Sequence, residues 1–553
     1  MFHQRPSSSH GGTPSKHLSW GCTIFLVLAL TTAVSGLASS SHTSTVPKAS
    51  MEAIVSAACK ATFYQTACQS ALLSSTNGAV PQTQADLFDL SVQFSLNQAR
   101  SARAHVHDLM LLDHKTQIVR GTDDCMELLD DTLDQLTNVA NRRKTLIEDP
   151  DDVQTWLSAA LTNQATCLES IQTYQTGGQN GLMRPMAQNL TYSISNSLAL
   201  HMSTRPSKEA QRTNTAGHHR RLLSDRFPGW VTAAERKLLE ASVEEIGATA
   251  VVAKDGSGTH KTIGEALAMV VTLEGEGRTV IHVKAGTYDE GLKIPSSQKN
   301  VMLVGDGKGK TVIVGHKSYA GGSSTYDSAT VGVMGDGFIA RDITIVNDAG
   351  PGKGQAVALR VGSDRSVVFR CSIIGYQDTL YTLSKRQFYR ETDIYGTVDF
   401  IFGNSAVVFQ SCNLNARKNS NNNFVTAQGR EDPNQNTGIS IHNCKITTEG
   451  STTYLGRPWK KYSRTVIMQS YLGGSIPPSG WYPWSGSFAL STLFYGEYMN
   501  GGPGASTSGR VKWGGYQGEL TASEAQEFTV GEFISGNAWL PSTGVSFDSG
   551  LIN

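Results

Sequence analysis

The sequence predicts two unlike folds in one chain: an all-α four-helix bundle, then an all-β right-handed parallel β-helix. Three observations carry this. The chain has 553 residues, more than one ordinary globular domain needs. Its 55 glycines are uneven, with 11 in residues 1–240 and 44 in residues 241–553. Helix interiors disfavour glycine, so only the first part can be largely helical. Apolar residues recur at helical spacing in the first part and as short β-branched runs between turn residues in the second. Charge excludes some functions. The 47 Lys+Arg balance 47 Asp+Glu, without the basic surplus of a dedicated nucleic-acid binder. A hydrophobic share of 39% beside 17% charged residues excludes a wholly disordered chain.

Residues 1–17 are polar, with Arg5 and Lys16 and no acid. Leu18–Ala38 carries no charge, Ile24–Leu30 is strongly apolar, and small residues follow around Ser35–Ser40. That order reads as a signal peptide or signal anchor over 1–38 and predicts a secreted protein with no stable membrane partner once processed. Asn189-Leu190-Thr191 is then an N-glycosylation sequon.

Residues 45–205 read as the bundle. Ala85, Leu87, Phe88, Val92, Leu96 and Ala99 mark one amphipathic helix. Similar patterns run through 118–146, 153–174 and 182–200, with turn chemistry between them. A short hairpin precedes four helices joined by short loops, the up-and-down arrangement. The unit is acidic, with 16 acids and 10 bases in residues 50–205. Glu127, Asp130, Asp131 and Asp134 read as a solvated helix face. Cys59, Cys68, Cys125 and Cys167 suit two disulfides in a secreted unit. Residues 206–240 form a polar linker with two basic tetrads, Arg220-Arg221-Leu222-Leu223 and Arg236-Lys237-Leu238-Leu239. Such pairs are accessible to proteases.

Residues 241–553 read as short strands without a helical pattern, among them 279–283, 301–304, 340–346, 356–361, 397–402 and 465–468. A sandwich or propeller is compatible with these runs. A parallel β-helix fits better, because the chain advances by similar coils with no helical crossover. Gln355, Gln377 and Asp399 are spaced 22 apart. One coil apart, they would form a column at the strand spacing of about 4.8 Å, with Asp378 beside it.

The segments around these residues resemble a known family. Gly354-Gln355-Ala356-Val357-Ala358-Leu359-Arg360, Gly375-Tyr376-Gln377-Asp378-Thr379-Leu380-Tyr381, Gly396-Thr397-Val398-Asp399-Phe400-Ile401-Phe402-Gly403 and Leu455-Gly456-Arg457-Pro458-Trp459 resemble the signature segments of plant pectin methylesterases. The likeness covers essentially all of 245–553. The cysteine layout of the first unit resembles that of the plant invertase/pectin methylesterase inhibitor domain and implies Cys59–Cys68 and Cys125–Cys167 bridges. Basic tetrads in such precursors lie between an inhibitor-like pro-region and the enzyme. Many relatives carry a cysteine where this chain has Thr392, bridging to the position of Cys412. That bridge cannot form here, so Cys412–Cys444 becomes the expected pair, with Cys371 free.

The implied activity is hydrolysis of pectin methyl esters to carboxylate and methanol, without cofactor or metal, in the extracellular cell wall. The implied nucleophile is Asp399, with Asp378 as acid and then base. Arg457 beside Asp399 would keep it ionised, and its charge would keep Asp378 protonated. Gln355 and Gln377 offer amide donors to the oxyanion. Trp459, Tyr381, Phe402 and Trp481 are the expected sugar platforms, and Thr325 matches a substrate contact of the family. The expected partners are methylesterified pectin and inhibitor-type bundles, in cis or separate. Residues 241–553 hold 27 bases and 27 acids, so strong electrostatic retention on acidic pectin is not expected. The alternative is a non-catalytic pectin-binding solenoid fused to an inhibitor domain. A lyase or polygalacturonase is disfavoured, because their carboxylate-rich constellations are not visible.

Overall fold

The computed structural model describes residues 48–76, 81–113, 121–142, 150–173, 180–205, 247–270 and 277–552. The expected leader over 1–38, the linker 206–240 and its Arg220, Arg221, Arg236 and Lys237 lie outside these residues.

The glycine-poor part is helical throughout its described residues. A hairpin of α1 (Lys48–Cys59) and α2 (Gln65–Ser75) precedes α3 (Gln84–Asp113), α4 (Thr122–Asn141), α5 (Pro150–Thr173) and α6 (Asn180–Thr204). Val92, Leu128, Leu136, Leu157, Ile194 and Leu198 are fully buried between the four long helices. Disulfides Cys59–Cys68 and Cys125–Cys167 tie the hairpin and join α4 to α5.

The glycine-rich part forms a right-handed parallel β-helix. Its strands stack into three parallel sheets of 11, 7 and 8 strands. Each coil adds one strand to a sheet, and inward side chains make one continuous core. The corners follow a rule. Asp342, Arg370, Glu391, Ser411, Asn443, Gln469 and Met499 all have φ between 46° and 57°, and each ends a strand of the 11-stranded sheet. Two runs that read as single strands are broken by such positions. Residues 340–346 turn at Asp342, and residues 397–402 turn at Asp399.

Helices occur where none were expected. Beyond the bundle, α7 (Ile263–Ala268) buries Ile263, Ala266 and Leu267 in the solenoid core. Near the C-terminus α8 (Ala522–Gln526), α9 (Val530–Phe533) and α10 (Gly536–Trp539) pack on the outer face of the 11-stranded sheet. Elements of four to six residues are too short to show a period. Capping boxes at Thr262/Glu265 and Thr521/Glu524 are the signal that could have found two of them.

Two readings are corrected by the core. Cys412 and Cys444 do not bridge; with Cys371 they are buried thiols. Each donates to the carbonyl two residues earlier, Cys371 to Phe369, Cys412 to Gln410 and Cys444 to His442. Burial pushes the Cys371 thiol up to about 12 and the Cys412 thiol up as well, which disfavours the thiolate that oxidation needs. Trp481 is not in a groove. It is 1% exposed, stacks on Tyr495 with centroids 4.3 Å apart, and donates from Nε1 to Glu497 (3.2 Å). Arg510 (2.8 Å) and Tyr516 (3.2 Å) also donate to Glu497, so this buried carboxylate is satisfied from three sides. Glu497→Ala strands the Arg510 charge in the core and is expected to cost about 3–5 kcal/mol, read from the urea unfolding curve. A displacement no larger than that of an exposed control substitution would contradict this account of Trp481.

Candidate active site

The site lies on the seven-stranded sheet. Its strands Leu359–Val361, Leu380–Thr382 and Ile401–Gly403 pair in parallel, Leu359 with Leu380 and Leu380 with Ile401, a step of 21 residues per coil. Asp378 and Asp399 each precede their strand by two residues, so they stack one coil apart. The Asp378 N–H donates to the Val398 carbonyl (3.0 Å), which holds this register. The expected 22-residue column is therefore corrected. Gln377 stacks on Val398, and the aspartates are the pair in register. Both aspartates are left-handed, with φ of 61° and 50°, a conformation that Asp tolerates better than most residues. Gly396 permits the turn into Asp399, because a Cβ there would lie 2.2 Å from Cβ of Phe400.

Arg457 follows the strand Thr453–Gly456, two coils beyond Asp399. Its guanidinium lies on the ring of Phe424 (4.2 Å), in the intervening coil, and reaches Asp399 with both forks, Nε to Oδ1 at 2.8 Å and Nη2 to Oδ2 at 2.7 Å. This bidentate pair is planar, charge-assisted and held from behind. Asp378 and Asp399 are 7% and 5% exposed. Burial, then the charge of Asp399, pushes the Asp378 carboxyl well above the usual carboxylate range; Arg457 and a hydrogen bond from Gln377 oppose this. Burial also raises Asp399, but there the Arg457 hydrogen bonds and charge act directly on the carboxylate. The pair therefore holds its first proton on Asp378.

Gln355, Gln377, Asp378, Asp399 and Arg457 line one cavity of about 480 Å³, with Thr325, Tyr381, Phe402 and Trp459. Every expected site residue except Trp481 is there. Trp484 lines it instead; it is 36% exposed and lies 4.4 Å from the Arg457 guanidinium. The reading from sequence missed it because Trp481 and Trp484 share one aromatic-rich stretch, and nothing in that stretch says which ring turns inward. Tyr381 stacks on Phe402 at 4.2 Å, and Trp459 meets both edge-on. Gly429 makes room for Trp459, since a Cβ there would lie 2.7 Å from the indole.

The other wall of the cavity is the bundle. Thr166, Glu169, Ser170 and Gln172 of α5 complete its lining. Tyr326, Tyr381, Leu383 and Phe402 join the bundle core as one apolar cluster. Around it run charged pairs. Asp131 of α4 is fully buried and accepts from Lys385 (2.7 Å), Gln135 (3.1 Å) and Asn163 (2.9 Å). Lys385 also donates to Asp336 (3.0 Å). Asp152 of α5 pairs with Arg386 (2.6 Å) and Arg365 (3.1 Å), and Glu127 lies 3.6 Å from Arg360. The solvated acidic face expected on α4 is thus corrected in part. Asp134 is exposed and Asp130, partly exposed, pairs with Arg103 of the bundle, whereas Glu127 and Asp131 meet cations of the solenoid, which no segment-level pattern reveals. Asn189 is exposed on α6. Among the described residues no His, Cys, Asp and Glu cluster suits a metal, and no helix is long and apolar enough to cross a membrane.

Comparison with known proteins identifies both parts of the chain. The Pectinesterase family model matches residues 249–537, and the Plant invertase/pectin methylesterase inhibitor model matches residues 53–200. A probable pectinesterase/pectinesterase inhibitor 35 of Arabidopsis thaliana is 63% identical over 469 residues, covering 84% of this chain and 87% of its own. Pectinesterase 2 of Citrus sinensis is 48% identical over 493 residues, covering 88% and 92%. The solved pectin methylesterase from carrot is 52% identical with a TM-score of 0.54, covering 55% of this chain and 99% of its own. The helical unit and the β-helix are thus each matched by a family model, and the chain belongs to the pectinesterase family, as a carboxylic ester hydrolase preceded by a pectinesterase-inhibitor domain.

Proposed function

We propose that the solenoid de-esterifies homogalacturonan through Asp399 as nucleophile and Asp378 as acid and base. The observation that carries this is the stacked aspartate pair, one member held by the Arg457 fork and the other raised by burial and its neighbour's charge. Asp399 attacks the ester carbonyl, and the carbonyl electrons move onto an oxyanion facing the Gln355 and Gln377 amides. As that oxyanion collapses, the C–O bond to the methoxy group breaks and Asp378 protonates the departing oxygen. This leaves an anhydride with Asp399. Asp378, now a carboxylate, takes a proton from water, which attacks the sugar-side carbonyl and frees Asp399 and the pectin carboxylate. The groove aromatics Tyr381, Phe402, Trp459 and Trp484 offer faces to the sugar rings, and Thr325 lines the same cavity. Secretion to the cell wall follows from the leader-like residues 1–38 together with this substrate.

We further propose that residues 45–205 hold the enzyme inactive until the linker is cut at one of its basic tetrads. Support comes from α5, which walls the cavity, and from the apolar cluster shared with the groove aromatics.

The mechanism is tested by methanol release from methylated pectin after linker cleavage and removal of the bundle. Asp399→Asn is expected to reduce release to background with an unchanged circular dichroism spectrum; undiminished turnover in that folded variant would sink the mechanism. Gln377→Leu should cost about 10²–10³ in kcat. The pH profile follows from the signs. The nucleophile must be ionised, and Arg457 opposes the burial that raises Asp399. Arg457→Met therefore moves the acidic limb of kcat/KM to higher pH, and a limb that stays in place would exclude this role. Inhibition has its own test. In the uncleaved chain Asp131→Ala leaves Lys385 buried with Asp336 alone, weakens seating by about 1.5–3 kcal/mol, and raises methanol release above that of the uncleaved parent. Equal release from the two would remove the inhibitory role.

A further inference from the structure

The bundle places one carboxylate in the cavity. Of the described bundle residues that line it, Thr166, Ser170 and Gln172 are neutral and Glu169 is acidic. Glu169 accepts from the Lys460 ammonium at 2.5 Å. Lys460 follows Arg457-Pro458-Trp459 in the chain, and its nitrogen lies 5.1 Å from the Trp459 ring centroid. The cation is thus fixed between Glu169 and the Trp459 ring, both of which line the cavity that holds both aspartates. It has a second partner within the solenoid, Glu431 at 3.0 Å, which keeps it in place whether or not the bundle is seated. An ammonium has three donors. Without the bundle, Glu431 remains as the solenoid partner, and the donor that served Glu169 is left for another acceptor.

The chemistry of the substrate supplies a group for that position. Each turnover converts a methyl ester to a carboxylate, so a polymer under attack carries free carboxylates beside its remaining esters. Such a carboxylate has the charge and planar geometry of Glu169. The reaction centre cannot take it, because the Arg457 fork is filled by Asp399. We propose that Lys460 is a specificity residue that binds the free carboxylate of a de-esterified galacturonate unit neighbouring the ester to be cleaved, and that Glu169 occupies this subsite while the bundle is seated. This rests on the pectinesterase reading above. It makes partly de-esterified chains better substrates than fully esterified ones.

The test uses the chain cleaved in its linker and freed of the bundle. Two hexagalacturonides are compared, one fully methylated and one carrying alternate free carboxylates. The ratio of their kcat/KM values is the readout. Lys460→Gln is expected to lower the ratio of acidic to fully esterified substrate by about fivefold, the worth of one partly exposed charge pair. Lys460→Arg, which keeps the charge, should preserve it. A check without any variant is salt: sodium chloride should lower kcat/KM of the parent more for the acidic hexamer than for the neutral one. An unchanged ratio in Lys460→Gln, an equal fall on both substrates, or equal salt dependence would overturn the proposal. Absence of methanol from either substrate with the parent enzyme would instead sink the underlying mechanism.

Discussion

Two carboxyl groups in register on neighbouring coils of a parallel β-helix stand near the strand spacing of about 4.8 Å, and under cover at that distance they do not both ionise. Everything else in the site manages this constraint. The 21-residue step of the strands around Leu380 and Ile401 puts Asp378 on Asp399. Both aspartates take the left-handed conformation at the same point of their coils, two residues before the strand. Arg457 breaks the symmetry, because its fork reaches only Asp399. The proton is thereby favoured on Asp378, and in the proposed mechanism two chemically identical residues take opposite roles. A scaffold with a less regular step could bring two aspartates close, but it would have to fix their relative orientation by other means. Here the hydrogen-bonded ladder does so.

The same sheet must also receive the bundle, and the contact is divided between two kinds of interaction. The apolar part, around Tyr381, Phe402 and Leu383, supplies non-directional attraction. The charged part, Asp131 with Lys385 and Asp152 with Arg386, is nearly or fully buried and hydrogen-bonded from several sides. Such pairs return little net stability once desolvation is counted, but a misplaced bundle would leave each charge buried alone. They therefore fix the seat of the bundle more than its strength. When the two units separate, those charges regain water, which offsets much of the attraction that is lost. The interface can in this way be specific without being permanent.

Much of this was legible in the sequence, for reasons that differ by residue. The fold boundary was carried by glycine, because Gly is costly inside a helix and easily placed in the many turns between short strands, even though the left-handed corners after the 11-stranded sheet are taken by other residues. Asp378, Asp399, Gln355, Gln377 and Arg457 were found through the signature segments around them, since spacing alone pointed to a column that the register does not make. The corner at Asp342 was hidden inside an apolar run, because β-branched neighbours look alike whether the chain runs straight or turns. Trp481 and Trp484 show the limit for aromatics: an indole three residues from another can be core or platform, and the difference is made by Glu497 and Tyr495, which lie elsewhere in the chain. The acidic stretch of α4 shows the limit for charge. Composition identified it correctly as a charged face, but what covers that face is encoded in Arg360 and Lys385, more than 200 residues away.

Tyr381, Phe402 and Trp459 have two tasks in the proposed cycle, and physical chemistry lets one surface serve both. Seated under α5, their rings are apolar partners for a helical core; exposed, they face a polymer whose sugar rings present C–H faces between polar rims. The groove is thus apolar enough to hold the bundle and still suited to a wet, polar substrate, because stacking uses only ring faces. The cover also alters the electrostatics. With the bundle seated, burial is the first cause of the raised carboxyls at both Asp378 and Asp399. Removing the cover admits water and weakens that cause for both, while the charge of Asp399 and the fork of Arg457 belong to the solenoid and remain. The difference between the two aspartates survives release, while the share of their raised proton affinity that comes from burial weakens. In the proposed cycle, departure of the bundle therefore opens the groove and, by the same step, removes part of the burial that opposes an ionised Asp399, while the charge of Asp399 still favours the proton on Asp378.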